Sequence, residues 1–303
     1  MSPSIFYASR KAGIPVVHTL HNYRLICPAA TLFRDGHVCE DCVGRLPFPA
    51  VRHRCYHDSR AKSSTIAAML SAHRVLGTWS KVVDAYVTLS EFSRRKFVQG
   101  GLPPEKLLVK PNFVDPDPGK RTEPGESALY VGRLSEEKGV RTVLEAWREL
   151  DVPLRIVGDG PLADEVSSMA AESPEGRLSY LGRRPREDVL SEMRRARLLI
   201  FASEVYESFP ITLVEAFACG LPVIATSHGA VGEIVEEGRT GIHFAAGNSL
   251  DLRTKVSAAW ADTEKLGAIG RNARTEFETK YTAERNFRQL MAIYDHVLAP
   301  RRA

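Results

Sequence analysis

Residues 127–147 read SALYVGRLSEEKGVRTVLEAW. The first five are an apolar run of strand length, and Gly132 to Gly139 form a turn bounded by glycines. A helix is expected from there to about residue 150. The unit recurs downstream, with strands expected at 154–157, 178–181, 198–201, 222–226 and 241–244 and helices between them. Three further helices are expected near 248–262, 264–278 and 283–298. Near-continuous apolar strands separated by helices predict a parallel sheet covered on both faces. Ligands of such sheets bind beyond the carboxyl ends of the strands.

The upstream part is less regular. It offers a helix near 3–12, a strand at 14–20, a long polar loop at 22–60 and a helix near 61–77. A strand at 83–89, a helix at 91–99 and a strand at 106–110 follow. Three strands make a thin sheet, and the chain opens on a helix, so this part reads as a domain whose front is missing. The run 112–126, NFVDPDPGKRTEPGE, has three Pro and two Gly and suits neither helix nor strand. The expected organisation is a first domain at 1–112, a linker at 113–126, a second domain at 127–282 and a C-terminal helix at 283–303 that crosses back to the first domain.

Composition narrows the classes. With 44% hydrophobic and 26% charged residues over 303 positions, the chain is globular rather than disordered or low-complexity. No apolar run approaches the roughly 18 residues of a membrane span, and MSPSIFYASRKAGIPVV lacks the order of a signal peptide. A cytoplasmic protein is expected. The net charge of +4 is unevenly placed: residues 1–112 hold 16 Lys and Arg against 7 acids, the remainder 25 against 30. The first part therefore faces something anionic. No stacking or recognition-helix motif accompanies the charge, so a phosphorylated substrate or an anionic membrane surface is expected rather than nucleic acid.

Two stretches carry chemistry. In the turn 132–139, Arg133 and Lys138 supply two cations beside backbone freed by Gly132, which suits a diphosphate without a catalytic metal. Further on, Glu207-Ser-Phe-Pro-Ile-Thr-Leu-Val-Glu215 follows the strand at 198–201. Ser208 is expected to cap a helix with Pro210 in its first turn, which frees the amides of Phe209, Ile211 and Thr212. Glu207 then accepts from sugar hydroxyls and Glu215 from a ribose diol. As an alternative, the pair are helix-stabilising and solvated carboxylates. The apolar neighbours of Glu215 favour a buried group that needs a partner.

His21 stands at the carboxyl end of the strand at 14–20, where α/β domains place ligand-binding groups, whereas His18 points to the other face. Cys27, Cys39, Cys42 and Cys55 are spaced C-x11-C-x2-C-x12-C, and Cys219 stands apart as a packed small residue. Four thiolates satisfy a closed structural zinc site, and buried free thiols are the other reading.

Residues 127–298 resemble the donor domain of the retaining glycosyltransferases of family 4, which have the GT-B fold. The matching runs are Gly132–Gly139, Val157-Gly-Asp-Gly160-Pro161, the Glu207/Glu215 pair, Ala218–Val223 and Gly229–Gly241 with Glu233 inside it. The first part resembles the acceptor domain from its middle onward, at Thr19-Leu-His-Asn-Tyr23, with Asn22 where the family has Asp. The resemblance implies an α/β protein of GT-B type, with two Rossmann-like doubly wound domains, the N-terminal one incomplete. It implies a nucleotide-diphosphate-sugar donor, with Arg133, Lys138 and Gly160 among the donor-site residues, and catalytic roles for His21 and Glu207. It also implies a glycan or lipid-linked acceptor, met at the inner membrane face. A non-catalytic nucleotide-binding remnant and a GT-B nucleotide-sugar epimerase stay open as alternatives.

Overall fold

The computed structural model describes residues 3–174 and 176–299. The chain divides into two compact units. The first comprises residues 1–112 and 284–303, the second Phe113–Ala283.

The first unit opens on helix α1 (Ser4–Lys11), then strand β1 (Val17–Leu20). A short hairpin, β2 (Phe33–Arg34) and β3 (His37–Val38), precedes helices α2 (Phe48–Arg52) and α3 (Arg60–Val75). Strand β4 (Ala85–Thr88), helix α4 (Glu91–Gln99) and strand β5 (Leu107–Val109) complete a parallel sheet of order β1-β4-β5. The sheet is central at β4, which is buried throughout, while β1 is an edge strand buried only at Leu20. The expected strand at 14–20 is thus shorter: Ile14 is exposed, and Val16 is tied instead by its N–H to Asp84 Oδ2 at 2.7 Å. The expected loop at 22–60 contains the hairpin and α2, elements too short for any sequence periodicity to mark.

The second unit alternates strand and helix: β6 (Ala128–Val131), α5 (Val140–Trp147), β7 (Leu154–Val157), α6 (Ala163–Glu172), β8 (Leu178–Tyr180) and α7 (Arg186–Arg195). It continues with β9 (Leu198–Phe201), α8 (Ile211–Ala218), β10 (Val223–Thr226), α9 (Gly229–Ile234), β11 (Gly241–Phe244), α10 (Ser249–Ala261) and α11 (Thr263–Lys280). The sheet order is β11-β10-β9-β6-β7-β8, all parallel. That is the doubly wound order, whose direction reverses between β6 and β9. Successive residues feed opposite cores. Ala128, Tyr130, Leu198, Ile200 and Ile224 pack with α5 and α10, and Leu129, Leu199, Phe201, Val223 and Ala225 with α8. Each core side chain removed from water contributes roughly 1.5–3 kcal/mol, so the frame holding the strand ends is stiff.

Segment 113–126, expected as a linker, is instead strapped to this unit. Val114 is buried, and its N–H donates to the Tyr281 carbonyl at 3.1 Å. Arg121 Nη1 donates to the carbonyls of Ala196 and Arg197 at 3.0 and 3.1 Å. Arg274 clamps Asp117 through two bonds of 2.7 and 2.6 Å. The reason is chemical: the run's own cation and acid find fixed partners that its Pro and Gly content conceals. The last helix, α12 (Ala283–Leu298), belongs to the first unit from Glu284 onward. There Lys110 Nζ, itself buried, donates to Asn286 Oδ1 at 3.0 Å, and Asn286 Nδ2 donates to the Pro111 carbonyl at 2.6 Å.

Candidate donor site at the sheet reversal

The carboxyl ends of β6 and β9 diverge at the reversal and leave a cleft of about 340 Å³. Its walls include Arg133, Lys138, Ser203, Glu207 and the start of α8. A neighbouring hollow of about 430 Å³ shares Gly132 and Arg133 and extends to Asp159, Gly160, Arg183 and Arg184.

Backbone fixes both rims. Gly139 has φ +67°, and a Cβ there would meet the Ala202 carbonyl oxygen at 2.0 Å, so the turn after β6 sits directly on the end of β9. At Gly158 a Cβ would lie 1.9 Å from the Gly132 carbonyl oxygen. Leu134 N–H donates to the Asp159 carbonyl at 2.9 Å, which ties the β6 and β7 turns together. Gly160 packs against the Leu134 backbone. Gly132 itself is uncrowded, its nearest Cβ contact being Tyr130 Oη at 3.5 Å.

Within this frame Lys138 Nζ meets Glu207 Oε1 at 2.5 Å, with the Glu207 side chain 16% exposed. Ser203 Oγ donates to the same Oε1 at 2.7 Å, and the Ser203 carbonyl accepts from Thr226 Oγ1 at 2.9 Å. Glu207 is thereby held by two donors against the cleft wall. Arg133 is exposed and has no acid partner among the described residues. Burial drives the Tyr130 hydroxyl well above its usual range, so it stays protonated and donates to the Lys138 carbonyl at 3.1 Å.

The start of α8 differs from the expectation. Pro210, not Ser208, occupies the capping position, in extended geometry (φ −78°, ψ 97°), and no side chain caps the helix. The Pro210 carbonyl already accepts from Leu213 N–H at 3.1 Å, which starts the helix at Ile211. The first-turn amides of Ile211 and Thr212 have no intrahelical acceptor, and Phe209, Ile211 and Thr212 all line the cleft. Glu215 is buried, and its Oε1 accepts from Arg186 Nε at 2.9 Å, so it is not a solvated surface carboxylate.

Sequence reasoning missed Ser203, Arg186, Arg183 and Arg184. The last two had a readable signal: Gly182-Arg-Arg-Pro185 is a basic turn directly after a strand.

In the first unit, β1 carries His21 one residue beyond its carboxyl end, and His21 is exposed. Tyr23 anchors the chain beyond it: it is buried, stacks on Phe97 at 5.7 Å and bonds Ser93 at 3.1 Å through its hydroxyl. His18 is packed between Phe6 and Tyr86, its Nδ1 is shielded without a partner, and burial lowers its pKa. The cysteines at 27, 39, 42 and 55 are free thiols. Burial raises Cys42 to about 11, and Cys27, Cys39 and Cys55 add to the rise. As placed, no group of three or more His, Cys, Asp and Glu among the described residues is arranged to hold a metal ion.

A family model described as glycosyl transferases group 1 matches residues 115–276, more than half the chain. The chain belongs to the group 1 glycosyltransferase family. An uncharacterized glycosyltransferase of Methanocaldococcus jannaschii, MJ1178, is 30% identical over 169 residues, covering 56% of this chain and 48% of that protein. The lipopolysaccharide 1,2-N-acetylglucosaminetransferase of Salmonella typhimurium is 26% identical over 258 residues, covering 76% of this chain and 67% of the relative. The crystal structure of Anabaena HepE in complex with UDP superposes with a TM-score of 0.75 at 21% identity, over 97% of this chain and 76% of that one. The fold is α/β of GT-B type. The chain spans about half the length of most curated relatives it matches.

Proposed function

We propose that the cleft binds a nucleotide-diphosphate-sugar and that the chain acts as a retaining glycosyltransferase of family 4, passing the sugar to a glycan or lipid-linked acceptor. The observation that carries this is Lys138 paired with Glu207 at 2.5 Å beside the exposed Arg133, which has no acid partner among the described residues, at the sheet reversal of a group 1 glycosyltransferase unit. UDP in the HepE structure supports a nucleotide donor.

Breaking the anomeric bond places negative charge on the departing diphosphate. Arg133, Lys138 and the amides of Phe209, Ile211 and Thr212 stabilise it, which lowers the barrier because the donors are already oriented. Lys138 then exchanges a carboxylate for a phosphate. Its departure from Glu207 frees that carboxylate for the sugar hydroxyls, while Ser203 keeps it in place. Glu215 holds the ribose diol with acceptor capacity left over from its bond to Arg186. The acceptor hydroxyl attacks from the face the diphosphate leaves, its proton passing to a phosphate oxygen. His21, exposed just beyond β1, is assigned the catalytic role that the family resemblance implies.

The acceptor side is assigned to the basic first unit, at a cytoplasmic anionic membrane surface. Exposed Leu46, Phe48, Val75 and Leu76 support this, since Arg74 Nη1 donates to the Arg45 carbonyl at 3.0 Å and gathers cations beside them. No described helix is long and apolar enough to cross a membrane.

Thermal stabilisation by UDP-, GDP- and ADP-sugars identifies the donor. With that donor, Glu207→Gln is expected to lose most turnover while keeping its affinity for the nucleoside diphosphate. Equal loss of both would contradict the assignment of Glu207 to the sugar. Product with inverted anomeric configuration would refute the retaining reading.

A further inference from the structure

A cavity of about 450 Å³ opens in the second unit between residues 120–124 and one face of α11. Gly220, in its wall, leads into β10 at Val223, so the cavity lies at the amino end of that strand. The donor cleft opens at the carboxyl end of β9, which runs parallel to β10. The two hollows are therefore at opposite ends of the sheet.

Glycines make the floor. A Cβ at Gly270 would meet the Gly220 carbonyl oxygen at 2.5 Å, so the packing of α11 demands glycine there. At Gly267, one turn earlier on the same face, a Cβ would meet only Arg271 Nη1, at 3.4 Å. Neither crowding nor a positive φ requires glycine at that position, and glycine is the poorest helix former after proline. Its effect is to leave the floor bare.

Cations gather over this floor. Arg121 Nη2 stands 3.3 Å from the Cβ position of Gly270, and Arg271 Nη1 3.4 Å from that of Gly267. Helix positions three apart have Cβ atoms about 5–6 Å from each other, so the two guanidinium groups border one small space. Lys120 enters from a third side, its Cβ 3.9 Å from the Cβ position of Gly220. The acids nearby do not neutralise these groups. Glu278 and Asp117 both pair with Arg274, each at 2.6 Å. Arg121 Nη1 donates to two backbone carbonyls, and burial, followed by repulsion from Arg197, lowers its pKa. Among the described residues Lys120, Arg121 and Arg271 have no acid partner, and Glu123 is the one acid in the wall without a cation.

We propose that this cavity binds a small phosphorylated sugar or polyol, its phosphate held by Lys120, Arg121 and Arg271, at a site separate from the donor cleft. Arg121 offers Nη2 from a fixed position, because backbone holds Nη1, and a planar guanidinium matches phosphate oxygens. Arg271 and Lys120 add charge from either side. Bare Gly267 lets a phosphate oxygen approach α11 with no methyl group in the way. A cavity of this size holds more than a phosphate, and Glu123 and Thr122 stand in its wall as partners for the ligand's hydroxyls.

The test is calorimetric titration of glucose 1-phosphate, inorganic phosphate and glucose into Arg133→Ala/Lys138→Ala. That background lacks both cations of the donor cleft, so the outcome does not depend on the donor reading. Glucose 1-phosphate is expected to bind at one site per chain, inorganic phosphate more weakly, and glucose not at all. Adding Lys120→Ala/Arg271→Ala, two exposed positions, should weaken the sugar phosphate by roughly tenfold per lost cation. Gly267→Ala should raise the melting temperature, since alanine is the better helix former, and yet weaken the sugar phosphate. Unchanged affinity in the Lys120→Ala/Arg271→Ala protein, glucose binding as well as its phosphate, or no binding of either phosphate would overturn the proposal.

Discussion

The second unit rests on six parallel strands, with β9 and β10 buried at every residue, and the first on three, with β1 half-exposed at an edge. In the second, side chains at the strand ends are placed by two apolar cores, and the turns of β6, β7 and β9 press together without room for a methyl group. In the first, a smaller apolar core around β4 is supplemented by polar ties: Lys110 to Asn286 and Val16 to Asp84. A stiff apolar frame suits a site that must hold charges at fixed spacing. An edge built on polar ties is more easily perturbed, and the two units should therefore fail differently.

The largest effect is expected at Gly158→Ala. The new Cβ would lie 1.9 Å from backbone oxygen, and neither turn can yield without losing Gly158 N–H to the Gly182 carbonyl at 3.0 Å. A loss of about 3 kcal/mol or more in urea unfolding is expected, at the upper end for one substitution. Gly132→Ala sharpens the contrast, since its Cβ makes an ordinary contact; stability should hold while nucleotide binding weakens. Comparable stability in the two variants would show that the turns are not close-packed.

Asn286→Ala probes the first unit. It removes the shorter of two hydrogen bonds from a buried ammonium, leaving the Pro111 carbonyl at 3.4 Å, and a cost of about 1–3 kcal/mol is expected, seen as faster hydrogen exchange in α12 and β5 with β9 and β10 unchanged. Uniform loss of protection in both units would mean that they do not unfold separately.

The smallest effect is the pH response of His18. Burial lowers its pKa below 6.5, with His21 adding to the effect. Above 6.5 the group is neutral in both states and the contribution is constant. As pH falls below that value the unfolded chain takes up the proton first, so stability declines until the folded pKa is passed, then levels. His228 in the second unit shifts the same way, so only comparison with His18→Leu isolates the first unit. An identical acid profile for that variant would remove His18 from the account.

Much of the second unit was legible because its strands are near-continuous apolar runs, and of the residues singled out in the sequence Gly132, Arg133, Lys138 and Glu207 line the cleft while Glu215 does not. What was not legible depends on contacts distant in sequence. Nothing near Glu215 announces Arg186, 29 positions earlier, and nothing near Asp117 announces Arg274. The Ser208 cap failed because Pro210 adopts extended geometry and starts the helix later. In the first unit, two-residue strands fall below any periodic signal, and only the cysteines mark the segment that contains them.

The most direct test of the donor cleft is calorimetric titration of UDP, GDP and ADP into wild type and Arg133→Ala/Lys138→Ala. Each lost charge-assisted contact should cost about 1.5–3 kcal/mol, roughly a tenfold to hundredfold loss of affinity per cation. At least one nucleotide is therefore expected to bind wild type and to be much weakened in the double variant. Equal affinity in both proteins, or no binding of any of the three to wild type, would contradict the site.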